Sequence, residues 1–316
     1  MKIGIIGAGS VGSATAFCLV MTGVANEVIL IDINNKKAVA EATDIAHAAP
    51  FSNAAKISAG KYNDLEDADV VIITAGANQK PGETRTDLLE RNVKIFAEVI
   101  PQIIKYAANT ILLVTTNPAD IMTEIALKLS DFPANRVIGS GTVLDTARFR
   151  NLLAEYLGVS TKSVHADVLG EHGDSEVLIW SSAEAGTLTL EEYAADIGKS
   201  LDIEQKQKIT EGVVYAAYKI IEGKGATAYG IAGALTQICR AIANDDHTIL
   251  TVSSHHKEVE KINDVCLSLP TVINREGIYH VITPKLSTAE HAQLQKSAQI
   301  MKNYTDKALA MLYKQQ

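Results

Sequence analysis

Cysteine is scarce in this chain of 316 residues: Cys18, Cys239 and Cys266 are an odd count at wide spacing. That excludes a disulfide scaffold and fits no metal-ligand spacing, so the expectation is reduced thiols in a cytosolic protein. Basic residues are also in deficit, with 29 Lys and Arg against 37 Asp and Glu and a formal charge of −8. A general nucleic-acid binder would carry a basic face, so that class is set aside. A small anionic ligand is not, because a few arginines in one cleft outweigh a diffuse negative surface locally. No stretch reaches the roughly 18 consecutive apolar residues of a membrane span. The mostly apolar run from Lys2 to Ala25 has the look of a signal peptide, but Gly7, Gly9 and Gly12 interrupt it at a spacing with its own explanation. No internal repeat or low-complexity segment occurs. The sequon Asn303-Tyr304-Thr305 sits in a helical pattern and is discounted. What is present is ordinary globular usage, 47% hydrophobic and 21% charged, in a chain long enough for about two domains.

The first 140 residues alternate short apolar runs with helical patterns. Lys2 to Ile6, Glu27 to Ile31, Lys56 to Ala59, Val70 to Thr74 and Thr110 to Thr115 read as strands. Their near-continuous Val, Ile and Leu suit strands buried on both faces of a parallel sheet. Helical patterns fill the gaps at Val11 to Thr22, Lys37 to Ala48, Arg85 to Ala107 and Ala119 to Leu129, and Arg136 to Ile138 adds a short strand. The fold class expected is α/β, a Rossmann-type doubly wound parallel sheet. A long helix, Val143 to Leu157, opens the second half. Beyond residue 160 the expected strands are Val164 to Leu169, Glu176 to Trp180, Thr248 to Ser253, Asp264 to Val272 and Gly277 to Val281. Helical segments near 204–222, 227–243 and 287–314 interleave them. This half reads as an α+β substrate domain, giving expected domains of 1–140 and 141–316.

Gly7-Ala8-Gly9-Ser10-Val11-Gly12 is a G-x-G-x-x-G that follows a strand and opens a helix. The first glycine permits the tight turn, the second a close approach to a pyrophosphate, the third the packing of helix on strand. The helix N-terminus offers free N–H groups to the phosphates. Asp32 ends the second strand 20 residues after Gly12, where a carboxylate would bond the ribose hydroxyls and repel a 2′-phosphate, so NAD is expected over NADP. On the helix from Val143, Asp145 and Arg148 are i and i+3 and share a face; Arg150 points elsewhere. Glu171-His172-Gly173-Asp174 follows an apolar strand and suits an exposed imidazole able to relay a proton. Ala75 to Arg85 is polar, contains Pro81-Gly82 and lies at the carboxyl edge of the sheet, where ligands bind in such folds.

Taken in order, G-A-G-S-V-G, A-G-A-N-Q-K-P-G-E-T-R, T-N-P, L-D-T-A-R-F-R, G-E-H-G-D and K-G-A-T closely resemble the L-lactate dehydrogenases of the lactate/malate dehydrogenase family, bacterial type, over nearly the whole chain. The resemblance implies a cytoplasmic, NAD-dependent oxidoreductase of glycolysis and fermentation, built as a homotetramer and without a metal. It implies that His172 is the acid/base and Asp145 its orienting partner. Arg148 would clamp the substrate carboxylate, a task for a planar fork, and Arg85 would polarise the carbonyl when its loop closes. Asn117 would be a further donor and Thr227 a pocket wall. Gly7, Gly9, Val11, Gly12, Asp32, Lys37, Tyr62, Gly76, Ala77, Thr115, Asn117 and Ser140 would line NAD.

Gln79 occupies the position that reads the far end of the substrate. A neutral amide tolerates the methyl of pyruvate, whereas an arginine would pair with the second carboxylate of oxaloacetate, so pyruvate and L-lactate are the expected substrates. Malate dehydrogenase, or a broader L-2-hydroxy-acid dehydrogenase, is the alternative. A non-catalytic NAD-binding descendant would have no reason to keep Asp145, Arg148, His172 and Arg85 together. Arg150 and His165 match the two positions where many bacterial relatives bind fructose 1,6-bisphosphate across a subunit interface, which makes this sugar bisphosphate an expected allosteric effector. Ala183 to Leu190 and Ser253-Ser254-His255-His256-Lys257 depart from the family's usual wording. The histidine pair hints at a metal site but has no third ligand in view.

Overall fold

Four runs of the first half put apolar side chains on both faces of one sheet, and the alternation is strict. The computed structural model describes residues 1–52, 55–77 and 85–313, with the backbone only of Arg85 and Thr86. The four strands are β1 (Lys2–Ile6), β2 (Glu27–Ile31), β4 (Val70–Ile73) and β5 (Ile111–Val114). Ile3, Ile5, Val28, Leu30, Val70, Ile72, Ile111 and Leu113 face one apolar core. Ile6, Ile29, Ile31, Val71, Ile73, Leu112 and Val114 face the other. Only a sheet covered by helices on both sides buries both sets.

The covering helices are those the 3.6-residue patterns require. On one side lie α1 (Ser10–Met21), α2 (Asn35–Ala48) and α9 (Tyr229–Asn244). On the other lie α3 (Arg85–Tyr106), α4 (Ala119–Ser130) and the end of α10 (Thr288–Tyr313). With β3 (Lys56–Ala59) and β6 (Val137–Gly139), the parallel strands stand in the order β6-β5-β4-β1-β2-β3, the doubly wound arrangement.

The later strands divide between two sheets. β10 (Thr248–Val259), β11 (Ile262–Asn274) and β12 (Gly277–Val281) extend the first sheet antiparallel, through the pairing of Ser253 with Gly139. The result is a mixed sheet of nine strands among the described residues. β7 (Val164–Leu169), β8 (Val177–Ala185) and β9 (Leu188–Thr189) form a smaller antiparallel sheet. It packs with α5 (Val143–Leu157), α6 (Leu190–Asp196) and α7 (Ile203–Val214) around Phe149, Leu153 and Val168.

Several elements differ from the expectation. The helical stretch 204–222 is two helices, α7 and α8 (Ala216–Lys224), parted at Tyr215, whose ψ of 5° leaves the helical region. β10 continues through the unusual Ser253 to Lys257, and Glu260 and Lys261, at φ of 48° and 69°, make the tight turn into β11. Such left-handed pairs suit hairpins, but Glu-Lys is not the composition that announces one. α6 was not expected, although Thr189 and Glu192 form a capping box at its start.

The glycine loop is built as its spacing requires. Gly7 has φ +106°, and a Cβ on Gly12 would lie 1.9 Å from the Gly7 carbonyl oxygen, whereas one on Gly9 would meet nothing within 4 Å. Two glycines are thus needed by the fold and the third leaves space beside the loop. Gly12→Ala should destabilise the chain by about 1–3 kcal/mol, as overpacking does, while Gly9→Ala should cost about 1 kcal/mol or less yet weaken NADH binding. Chemical denaturation together with an NADH fluorescence titration checks the pair; equal losses of stability would refute the distinction.

Candidate active site

The expected ligand-lining residues stand along one edge of the sheet because the parallel strands all end there. Gly7 follows β1, Asp32 follows β2, Gly76 and Ala77 follow β4, Thr115 and Asn117 follow β5, and Ser140 follows β6. Asp32 accepts from the Ala8 amide (2.7 Å) and the Asn34 amide (2.8 Å), so the carboxylate is fixed against the glycine loop. Asn92, buried on α3, accepts from the Ala77 amide and donates to the Asn117 carbonyl, both at 2.8 Å, and ties two of these loops together. Ser140 donates its amide to Val114. The Thr115 hydroxyl is buried with no hydrogen-bond partner among the described residues. That orphaned donor, the open space beside Gly9 and the carboxylate at Asp32 fit an NAD molecule lying along the edge. Tyr62 is half-buried, and burial followed by the charge of Glu98 raises its phenol above the ordinary value. Val11 and Lys37 lie in the first turns of α1 and α2.

Asp145, on the first turn of α5, is 2% exposed. Its Oδ1 accepts from Arg148 at 2.7 Å and its Oδ2 meets His172 Nδ1 at 2.6 Å. The i, i+3 pair and the strand-end histidine are therefore one cluster. Burial alone would lift the Asp145 pKa, but the charges and hydrogen bonds of His172 and Arg148 hold it below the usual carboxylate range. Burial would likewise depress the imidazole, yet Asp145, with Asp120 and Glu176 behind it, pushes His172 up to about 9. With Nδ1 engaged by Asp145, Nε2 is the nitrogen left for a substrate. Arg148 keeps further donors beyond the one committed to Asp145.

Two acidic residues of this cluster were not foreseen. Asp120, on the first turn of α4, is 2% exposed and accepts the His172 amide at 2.8 Å. Burial pushes its carboxyl up to about 6, against hydrogen bonds from Ser253 and His172. Glu176 stands four residues beyond His172, and donor atoms of Asp145, His172 and Glu176 all lie within 4.8 Å of one another. Asp120 follows the Asn117-Pro118 motif and Glu176 follows Gly173-Asp174, so proximity to recognised motifs was the available signal.

The other expected residues are less closely joined. Thr227 is half-buried between α8 and α9. Gln79 and the side chain of Arg85 lie outside the described residues. Arg150 donates to the Ala166 carbonyl and to Asp167 Oδ1, both at 2.8 Å, beside the exposed His165. His255 and His256 part company: His255 Nδ1 meets the buried Glu124 at 2.9 Å, while His256 Nε2 faces the Leu267 carbonyl at 3.1 Å. Burial drives His256 down to about 4. All three thiols are free, and burial pushes Cys239 up to about 12.

Comparison with known proteins places both halves of the chain in one family. The family model for the lactate/malate dehydrogenase NAD-binding domain covers residues 1–139, and that for the lactate/malate dehydrogenase α/β C-terminal domain covers 142–312. The chain is 52% identical over 302 residues to an L-lactate dehydrogenase of Thermus aquaticus, covering 96% of this chain and 97% of the relative. It is 50% identical over 303 residues to an L-lactate dehydrogenase of Allorhizobium ampelinum, covering 96% and 98%. Among solved structures, the minor L-lactate dehydrogenase of Enterococcus mundtii superposes with a TM-score of 0.93 at 36% identity, covering 97% of this chain and 98% of that one. With both halves matched and relatives at this identity over nearly the full length, the chain belongs to the lactate/malate dehydrogenase family.

Proposed function

We propose that the chain is an NAD-dependent L-lactate dehydrogenase interconverting pyruvate and L-lactate. The observation that carries the reading is the buried carboxylate of Asp145 shared between Arg148 and His172. Bound NAD supplies the hydride acceptor or donor. The protein's part is to hold the anion and to move the proton. Arg148 binds the substrate carboxylate with the donors that Asp145 leaves free, because a guanidinium fork matches a carboxylate bidentately. His172, raised to about 9, is an imidazolium at neutral pH and gives its Nε2 proton to the carbonyl oxygen of pyruvate. For oxidation of lactate the same nitrogen must be neutral, so reduction weakens and oxidation strengthens as pH rises through that value. Asp120 holds the backbone of His172, Arg85 polarises the carbonyl and Thr227 walls the pocket. Asn117, Gly7, Gly9, Val11, Gly12, Asp32, Lys37, Tyr62, Gly76, Ala77, Thr115 and Ser140 line the cofactor. We assign the domains as 1–140 for the dinucleotide and 141–316 for the substrate.

Gln79 sets the choice of substrate. Against an amide, the second carboxylate of oxaloacetate is buried without a partner, which costs roughly 3–5 kcal/mol, a factor of about 10² to 10³ or more. Steady-state kinetics should therefore give a higher kcat/KM for pyruvate than for oxaloacetate, and Gln79→Arg should move the ratio towards oxaloacetate. A wild-type preference for oxaloacetate would instead make the chain a malate dehydrogenase.

The finer assignments are a homotetramer, a cytoplasmic location and activation by fructose 1,6-bisphosphate. No helix among the described residues is long and apolar enough to cross a membrane. Arg150 reaches β7, where it donates to the Ala166 carbonyl and to Asp167, the two residues after His165, so Asp167 competes with a phosphate for the guanidinium. A sugar bisphosphate seated there should lower the pyruvate KM. Pyruvate KM measured at pH 6, with and without millimolar effector, checks this. Superimposed curves at pH 6 would remove the effector from the reading.

A further inference from the structure

Glu176 is the one carboxyl of the cluster to which neither the resemblance nor the mechanism above gives a task. It sits at the end of the turn after His172, where its amide donates to the Gly173 carbonyl at 3.1 Å, immediately before β8. That turn leads the side chain back onto the His172–Asp145 pair, with donor atoms of all three residues within 4.8 Å of one another. Its Oε1 is buried and has no hydrogen-bond partner among the described residues. A buried carboxyl oxygen without a partner is costly, and a surface role would have no use for one beside an imidazole.

We propose that Glu176 is a positioning residue of the acid/base centre: its carboxyl, set against the His172–Asp145 pair with an oxygen that has no other partner, favours the imidazolium form of His172. This inference rests on the acid/base reading of His172. The groups that face Glu176 are Asp145 and Arg148 from α5, and His172 and Glu171 from the loop after β7. Burial comes first and the Asp145 carboxylate second in lifting the Glu176 carboxyl, up to about 8, while His172 and Arg148 oppose them. Glu176 is thus neutral at pH 7 and does not oppose an incoming substrate anion. Above that range it is a carboxylate facing the imidazolium. Its charge then adds to those of Asp145 and Asp120 in holding the proton on His172, which extends pyruvate reduction to higher pH.

The sign follows for a variant. Glu176→Gln removes a negative charge that favours imidazolium, so the pKa of His172 falls. The alkaline limb of kcat/KM for pyruvate and the acid limb of kcat/KM for lactate both report that proton, from opposite directions. Both limbs should move to lower pH by the same amount, about one pH unit. Glu176→Asp, which keeps the charge, should return both limbs towards the wild type. A purely structural role would lower rates at every pH and leave the limbs in place. If the Gln variant does not fold, Glu176→Ala reads the same two limbs. Wild-type enzyme that reduces pyruvate, paired with a neutral variant whose limbs stay put or move upward, overturns the role of Glu176 and leaves the dehydrogenase reading intact. Wild-type enzyme that turns over no pyruvate at any pH overturns the dehydrogenase reading instead.

Discussion

Asp145 carries a charge in a place where water cannot reach it, and only the two cations at its two oxygens make that tolerable. A lone ionised carboxylate in such a site would take up a proton. Here Arg148 at 2.7 Å and His172 at 2.6 Å hold it ionised. The dependence runs in both directions. Asp145 fixes the rotamer of Arg148, so that the remaining donors of the guanidinium keep one orientation. It also occupies Nδ1 of His172, so that a single nitrogen is left for proton transfer. Removing either partner would strand a buried charge, at a cost of about 3–5 kcal/mol. The three side chains therefore act as one unit, and their spacing is a property of the fold as much as of the chemistry.

Holding that unit against the cofactor edge requires links between distant segments. α5 starts just after β6, the last parallel strand, so Asp145 and Arg148 are placed by the sheet itself. His172 arrives from elsewhere, on the loop after β7. Among the contacts that anchor that loop, Gly170 bridges to Ser268 of β11, the Glu171 amide donates to Ser297 on α10, and the His172 amide reaches Asp120 on α4. Since β10 and β11 belong to the same sheet as β6, the histidine and the carboxylate refer to one rigid body. Asp120 acts on His172 through its backbone N–H and through its charge. Its place is to satisfy a backbone N–H that would otherwise point into a dry region, which is why a buried carboxyl is kept there.

How much of this could be read beforehand depends on the range of the interaction. The parallel strands were legible because strands such as Val70–Ile73 are apolar on both faces. The nucleotide loop was legible because steric demands at Gly7 and Gly12 act within a few residues of each other. The Asp145–Arg148 pair was visible as a helix spacing, but on that spacing alone it is an ordinary surface ion pair. Its meaning needs His172, 27 residues on, and no local rule supplies that contact. The resemblance to a family supplied it, residue by residue. Asp120 and Glu176 escaped because their importance lies in burial, which the sequence around them does not announce. The turn at Glu260 and Lys261 escaped for the opposite reason: tertiary pairing of β10 with β11 imposes a left-handed backbone on residues that do not favour it.

The chain's charge of −8 is awkward for an enzyme of anions only if charge is counted over the whole surface. Exposed charges are screened within about 8–10 Å, whereas those at the site act across a few ångströms in a medium of lower effective dielectric. What a substrate carboxylate meets is thus decided by Arg148 and by the protonation of the groups around His172. Burial raises the carboxyls of Asp120 and Glu176, while pairing lowers that of Asp145. Desolvation raises all three neighbouring acids, and only the one hydrogen-bonded to cationic side chains is brought back below its ordinary value. The one with two cations stays ionised and orients the machinery, and those with weaker or shared partners stay nearer neutrality. That separation lets an acidic protein keep an imidazolium beside three carboxyl groups.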